Sequence, residues 1–292
     1  MFPRRISRWF SAETGMVLRE ESGRPVSGGC IHEAWLVDRM NGGTIFFKCN
    51  DASRLPLLEA EKSGLEQIAD SRTLRVPRPL ALGLVEDRSV LALEGLELGG
   101  RPSSNSHERL AEGLAAMHDC PSINGRFGAV SDNFIGATLQ QNGWSASWAD
   151  FYISHRLEPQ FRLAVARGRR FPEEARLLSS VHTHLSALPI RPSLLHGDLW
   201  GGNAGFLGDG EPVVFDPACY FGDRETDIAF TRLFGGFDPS FYRRYRELSS
   251  PPETVREPIY NLYHLLNHYH LFGGSYGDQA ARTMRGILTV LG

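Results

Sequence analysis

The residues with the most chemical content lie between 196 and 216. The string His196-Gly197-Asp198-Leu199-Trp200-Gly201-Gly202-Asn203 is followed, thirteen residues after the asparagine, by Asp216 at the end of the apolar run Val213-Val214-Phe215. An Asp followed five residues later by an Asn has the spacing of a loop that transfers phosphoryl groups. That chemistry asks for one group to orient the attacking hydroxyl, and for oxygens that hold Mg²⁺ against phosphates. Asp198 is therefore the candidate base, and Asn203 and Asp216 are candidate metal ligands. The triplet Asp216-Pro217-Ala218 departs from the Asp-Phe-Gly of protein kinases, and its proline argues against a flip of that segment. An ordinary polar turn would explain His-x-Asp alone. It does not explain the whole string with a second Asp after an apolar strand.

A nucleotide needs a second set of groups, and the first ninety residues offer one. Gly28-Gly29-Cys30 lies between strand-like segments, where backbone N–H groups can approach phosphates. By itself a Gly-Gly pair is only a turn signal. Lys48 sits in the following strand, where a kinase keeps its phosphate-binding lysine. Glu61, thirteen residues on, is the expected partner, with Glu59 as the competing choice. Glu94 to Leu96 is the expected hinge, meeting adenine through its backbone. Only two of the 31 basic residues are lysines, Lys48 and Lys62, so a lysine retained within a strand carries weight.

The elements that must position these groups follow from periodicity. Residues 31–37 and 44–49 read as strands joined at Asn41-Gly42-Gly43, 56–69 as a helix, and 80–85 and 89–93 as two further strands. Helical patterns cover about 105–118, 146–167, 172–187, 226–234, 239–248, 254–272 and 278–290. The expected fold is α+β and bilobal, protein-kinase-like: a nucleotide-binding lobe over 1–94, a hinge at about 94–101, and a helical catalytic and substrate-binding lobe over 95–292.

Composition narrows the partners. With 41% hydrophobic residues in 292, the chain can bury sizeable cores. A net charge of −3 gives no electrostatic reason to expect a nucleic-acid or membrane partner. Residues 1–94 carry 13 charges of each sign, so the excess of acid falls on the remainder. The basic start, Met1 to Phe10, is not followed by an apolar run, and no stretch is long enough for a membrane span; a cytoplasmic location is expected. Cys30, Cys49, Cys120 and Cys219 show no metal-ligand spacing and are expected as free thiols.

The chain resembles the fructosamine/ketosamine-3-kinase family, relatives of the aminoglycoside phosphotransferases, nearly from end to end. The resemblance is carried by Gly28-Gly29-Cys30-Ile31, Val76-Pro77-Arg78-Pro79, the Asp-Asn-Phe-Ile-Gly segment at 132–136, and Leu195 to Asn203. It continues through Asp216 to Asp227, Phe234-Gly235-Gly236-Phe237 and Leu266-Asn267-His268-Tyr269. The Leu-Trp after His-Gly-Asp and the Phe-Gly-Gly-Phe string set ketosamine kinases apart within the wider group. The resemblance implies ATP and Mg²⁺ as cofactors. It also implies phosphorylation of the 3-hydroxyl of a ketoamine, either a small adduct or a glycated protein lysine. The phosphorylated adduct decomposes and frees the amine. Another small alcohol, such as an aminoglycoside, choline or homoserine, is the alternative acceptor. A cysteine at position 30 implies redox sensitivity, in a monomer or a redox-linked homodimer; a loop built for phosphate would favour its thiolate.

Outside the core, Trp200 could stack on a sugar face, and Asp223 or Glu225 could meet the protonated amine of a ketoamine. Asp227 is expected to cap the helix that starts near Ile228. His264 and His268 are one turn apart, without the Glu of a zinc motif, so His268 reads as packing or as an edge of the acceptor site. His118 reads as a core or capping histidine.

Overall fold

The structure is a computed structural model that describes residues 2–26, 32–249 and 255–292. Its first half is built on a five-stranded antiparallel sheet of β1 (Arg24–Val26), β2 (Glu33–Asp38), β3 (Thr44–Asp51), β4 (Pro79–Val85) and β5 (Arg88–Gly95), in the spatial order β1-β2-β3-β5-β4. Gly42 and Gly43, at φ of 85° and 78°, close the β2–β3 hairpin.

Alternation along β3 decides where Lys48 points. Ile45, Phe47 and Cys49 face one side of the sheet, where Phe2 and, from helix α1 (Arg4–Thr14), Ile6 and Phe10 pack against them. Phe46 and Lys48 face the other side, toward helix α2 (Leu55–Ser71), whose Leu58, Leu65 and Ile68 pack beneath Leu91 and Leu93 of β5. Helix α1 is the one long element without a clear periodic signal in the sequence. Phe2 just before it and Ile6 and Phe10 within it recur every four residues among arginines, a stripe too sparse to count as an apolar run.

After Gly95 the chain crosses to a helical second half. It comprises α3 (Ser104–His118), α4 (Trp148–Tyr152), α5 (Glu158–Ala166), α6 (Glu174–Ser186), α7 (Glu225–Leu233), α8 (Pro239–Leu248), α9 (Arg256–Phe272) and α10 (Tyr276–Leu291). The crossover is tied down where the amides of Gly99 and Gly100 both donate to the Phe206 carbonyl at 3.2 Å. One π turn, Ile153–Leu157, joins α4 to α5 just before Pro159, which has no N–H to continue the i→i−4 ladder. Three short antiparallel pairs interrupt the helices: β6 (Asn133–Ile135) with β7 (Thr138–Gln140), β8 (Ser193–Leu195) with β11 (Tyr220–Gly222), and β9 (Ala204–Phe206) with β10 (Pro212–Val214). Of these only the apolar runs at β8 and β10 stand out in the sequence; β6, β7, β9 and β11 were not expected.

One core fills the bundle of α4, α5, α6, α9 and α10. A second runs from α2 and β5 through α3 into β8, β10 and α8, and so joins the sheet to the helices. Cys49 and Cys219 are buried and behave as small hydrophobes, while Cys120 is half-buried; all three are free thiols. Cys30 lies outside the described residues. Among those residues no helix is long and apolar enough to cross a membrane.

Because Phe10 is wholly buried between α1 and Phe47, Phe10→Ala should cost about 3–5 kcal/mol. Urea unfolding checks this. A lowered midpoint at unchanged slope is the expected result, and an unchanged midpoint would mean that α1 does not support the sheet.

Candidate active site

Lys48 is the meeting point of the two halves of the molecule. Its ammonium donates to Glu61 of α2 at 2.7 Å and also to the Asp216 carboxylate. The side chains of Lys48 and Glu61 are 9% and 10% exposed, whereas that of Asp216 is 46% exposed and so open to the cleft. Glu59, the competing partner, points to solvent. Burial works against the charged form of Lys48, but the two carboxylates outweigh it and hold its pKa above the ordinary lysine value. Glu61 is pushed up to about 7 by burial, against the pull of Lys48. Burial also acts on Asp216, but Lys48 overcomes it and keeps that carboxyl below its ordinary range.

Asp216 adopts a left-handed backbone, φ 57°, which a non-glycine residue takes only when its surroundings enforce it. Pro217 follows and is pressed by α2: a Cβ on Gly64 would come within 2.9 Å of the proline ring. Gly64 lies nearly one turn beyond Glu61, so the same helix supplies the carboxylate for Lys48 and the surface on which the Asp216 segment rests.

The loop from His196 to Asn203 forms the opposing wall. Asn203 donates its Nδ2 to the Asp198 carboxylate at 2.9 Å and to the Asp198 carbonyl at 2.8 Å. With Nδ2 so engaged, Oδ1 is the remaining polar atom of that amide. Burial, then the nearby Asp216 carboxylate, pushes the Asp198 pKa well above the ordinary range, against the Asn203 hydrogen bond. His196 is fully buried; its Nδ1 accepts from the Asp198 amide at 3.3 Å, so Nε2 carries the proton and donates to the Phe215 carbonyl at 3.1 Å. Gly197, at φ 80°, admits no side chain, since a Cβ there would lie 2.1 Å from the Ala218 carbonyl. That contact accounts for glycine where protein kinases carry arginine.

Asp227 corrects one expectation. Helix α7 starts at Glu225, so Asp227 lies inside its first turn and does not cap it. Its buried carboxylate accepts the amides of His196 at 2.8 Å and Gly197 at 2.9 Å, and meets His118 Nε2 at 3.1 Å. The other nitrogen of His118 meets the Tyr245 hydroxyl at 2.6 Å. Asp227 thus holds the loop backbone from behind, and His118, taken as a core histidine, anchors that carboxylate.

A further amide pair, unnoticed in the sequence as site residues, fixes the strand after Asp216. Asn133 of β6 donates to the Cys219 carbonyl at 2.8 Å, and Gln140 of β7 donates to the Ala218 carbonyl at 3.3 Å. Tyr263 donates to Gln140 at 2.7 Å, and the buried Arg156 reaches the same network by donating to Asn142 at 2.7 Å. The one sequence signal for this was the Asp-Asn-Phe-Ile-Gly segment, which singles out no role for its asparagine.

The other candidates divide. Trp200 is half-buried with its ring edge-on to Phe234 at 6.0 Å, and Phe234 lies 4.8 Å from His268. These three rings form one aromatic cluster. The Nδ1 of His268 donates to the His264 carbonyl at 2.8 Å, and the His264 ring stacks on Phe230 at 3.6 Å, so the pair is engaged in packing and not in metal binding.

Asp223 and Glu225 do not meet an acceptor at this site. They follow Gly222, the end of the β8–β11 pair away from Leu195 and hence away from Asp198. The Asp223 carboxylate is taken up by Arg256 at 2.7 Å and Tyr260 at 2.5 Å, and Glu225 is buried beside it. Glu94 and Leu96 lie where the sheet leads into the crossover. The Glu94 amide already donates to the Arg78 carbonyl at 2.8 Å, and its side chain pairs with Arg75 at 2.6 Å. Gly28, Gly29 and Cys30 lie outside the described residues.

A family model for fructosamine kinase matches residues 2–290. The chain belongs to the fructosamine kinase family. It is 43% identical to a protein of Synechocystis named "Probable ketoamine kinase", covering 98% of this chain and 96% of that one. It is 35% identical to the chloroplastic protein-ribulosamine 3-kinase of Oryza sativa subsp. indica, covering 98% and 84%. A crystal structure of a Haemophilus somnus protein described as "Putative fructosamine-3-kinase" superposes with a TM-score of 0.88 at 31% identity, covering 97% and 96%. The chain is a phosphotransferase of this family, with the kinase-like arrangement of a sheet-built first half and a helical second half.

Burial, then the neighbouring Asp223, raises the Glu225 carboxyl from 4.5 to about 7. The native state therefore binds this proton more tightly than the unfolded chain, and stability falls as pH rises between those two values. Glu225→Gln removes that loss. Unfolding midpoints across this range should decline less with pH in the variant than in the wild type; parallel profiles would contradict the assignment.

Proposed function

We propose that this enzyme transfers the terminal phosphate of ATP to the 3-hydroxyl of a ketoamine, a fructosamine- or ribulosamine-type adduct. The observation that carries the reading is the pairing of Lys48 with both Glu61 and Asp216, opposite the Asp198–Asn203 pair. In this reading residues 1–94 form the nucleotide lobe and 95–292 the catalytic and acceptor lobe. The choice of acceptor is supported by the names of the Synechocystis and rice relatives.

Lys48 neutralises the nucleotide phosphates and is kept charged and aimed by Glu61. The backbone from Glu94 to Leu96 meets the adenine edge; Gly28, Gly29 and Cys30, the sequence's candidates for phosphate contact, lie outside the described residues. Asp216 and the Oδ1 of Asn203 would hold Mg²⁺. They are hard oxygen donors, and two protein ligands suit an ion that takes the rest of its shell from phosphates and water. When bound, the ion draws charge from the phosphate oxygens as the P–O bond breaks.

Asp198 orients the acceptor hydroxyl. The hydroxyl oxygen forms the new P–O bond, the bond from phosphorus to the bridging oxygen of ADP breaks, and the hydroxyl proton passes to the Asp198 carboxylate. A carboxyl with a raised pKa suits that task, because it accepts a proton more readily than an exposed one. Trp200 and His268 line the acceptor side, where the indole face can stack on sugar C–H groups.

Asp198→Asn should lower kcat by roughly 10²–10⁴ with little change in the KM for ATP. Near-wild-type turnover would remove Asp198 from its role. With ribulosamine, fructosamine, choline and an aminoglycoside offered in parallel, the ketoamines should turn over fastest. NMR of their product should show phosphate on the 3-oxygen. Rapid turnover of an aminoglycoside or choline beside inert ketoamines would assign the alternative acceptor.

A further inference from the structure

His32 stands on the same face of the sheet as Lys48. The β2–β3 register pairs Ala34 with Lys48 and Glu33 with Cys49 and ends there, and continuing the same alternation by one residue brings His32 opposite Asn50. Side chains alternate, and Lys48 and Asn50 therefore share a face. The contact is made: His32 Nδ1 lies 3.0 Å from Asn50 Nδ2.

Two hydrogen bonds then settle the chemistry of the imidazole. The Asp51 amide donates to Asn50 Oδ1 at 2.8 Å, which fixes the Asn50 side chain with its Nδ2 toward His32. That nitrogen can only donate, so His32 Nδ1 accepts, and the proton of the neutral ring is on Nε2. Burial, then the charge of Lys48, lowers the His32 pKa to about 4, so the ring is neutral at neutral pH. The remaining charges acting on it are those of Asp216 and Arg54. A neutral N–H donor, oriented by Asn50, thus stands on the Lys48 face of the sheet, within reach of the charges of Lys48 and Asp216.

We propose that His32 is a phosphate-contacting residue: its Nε2–H donates to the terminal phosphate of ATP from the sheet side, and Asn50 is the positioning residue that selects this tautomer. The inference rests on the reading of Lys48 and Asp216 as the phosphate site.

The test compares binding of a β,γ-imido ATP analogue and of ADP, by calorimetry, with thermal unfolding recorded for each variant. His32→Leu should weaken the analogue roughly 10- to 100-fold, the worth of a hydrogen bond to a charged group, and leave ADP within about 3-fold. Asn50→Leu should shift the analogue in the same direction by less. His32→Gln, whose amide can reach the Nε2 position, should recover part of the loss; His32→Asn, whose amide stops at the Nδ1 position, should not. The Gln and Asn pair carries the comparison if His32→Leu does not fold. Equal weakening of analogue and ADP, or unchanged binding in a folded His32→Leu, overturns the proposal. Lys48→Met separates the two levels. If it weakens nucleotide binding while His32→Leu is silent, only the His32 assignment falls. If Lys48→Met is itself silent, the phosphate-site reading falls and this inference with it.

Discussion

A buried ammonium is costly unless it is surrounded by opposite charge, and Lys48 meets that condition with two carboxylates from separate parts of the chain. Glu61 comes from the helix packed under the sheet, and Asp216 from the segment that follows β10 in the helical half. Each half supplies one of the two carboxylates. The pair with Glu61 is enclosed, and the pair with Asp216 is open to the cleft. The arrangement has one fixed partner and one that a phosphate could displace. The left-handed backbone at Asp216 and the close approach of Gly64 to Pro217 serve the same end, since both hold that carboxylate up to the lysine.

The second wall is held by polar groups that do not themselves face the cleft. Asp227 grips the loop through the amides of His196 and Gly197, and His196 clasps the strand before Asp216 through the Phe215 carbonyl. Asn133 and Gln140 take the carbonyls on the far side of Asp216. In a buried setting each of these hydrogen bonds is costly to lose, so together they leave the Asp198–Asn203 and Asp216 groups little freedom. Placement of this kind is what a reaction with little covalent chemistry asks of its enzyme.

Much of this was legible in the sequence. Strand alternation and the hairpin glycines located Lys48, and the spacing from Asp198 to Asn203 to Asp216 located the loop, because both features are local. The groups that were missed act at long range. Asp227 lies in a position that reads as a helix start, and nothing nearby in sequence shows that its carboxylate serves amides 30 and 31 residues upstream. Asn133 and Gln140 each sit at one end of a strand of only three residues. The α1 stripe is hidden among arginines. Asp223 and Glu225 failed as acceptor contacts for a related reason: their closeness to Asp216 in sequence is undone by one short strand, Tyr220–Gly222, that carries them to the other end of the pair.

The most direct test of the central claim is a crystal structure of the enzyme with Mg²⁺ and a non-hydrolysable ATP analogue. Lys48 should keep its contact with Glu61 and give up Asp216 for a phosphate oxygen, while Asp216 and Asn203 hold the metal. A nucleotide bound with Lys48 still on Asp216, or with its phosphates away from both residues, would contradict the account.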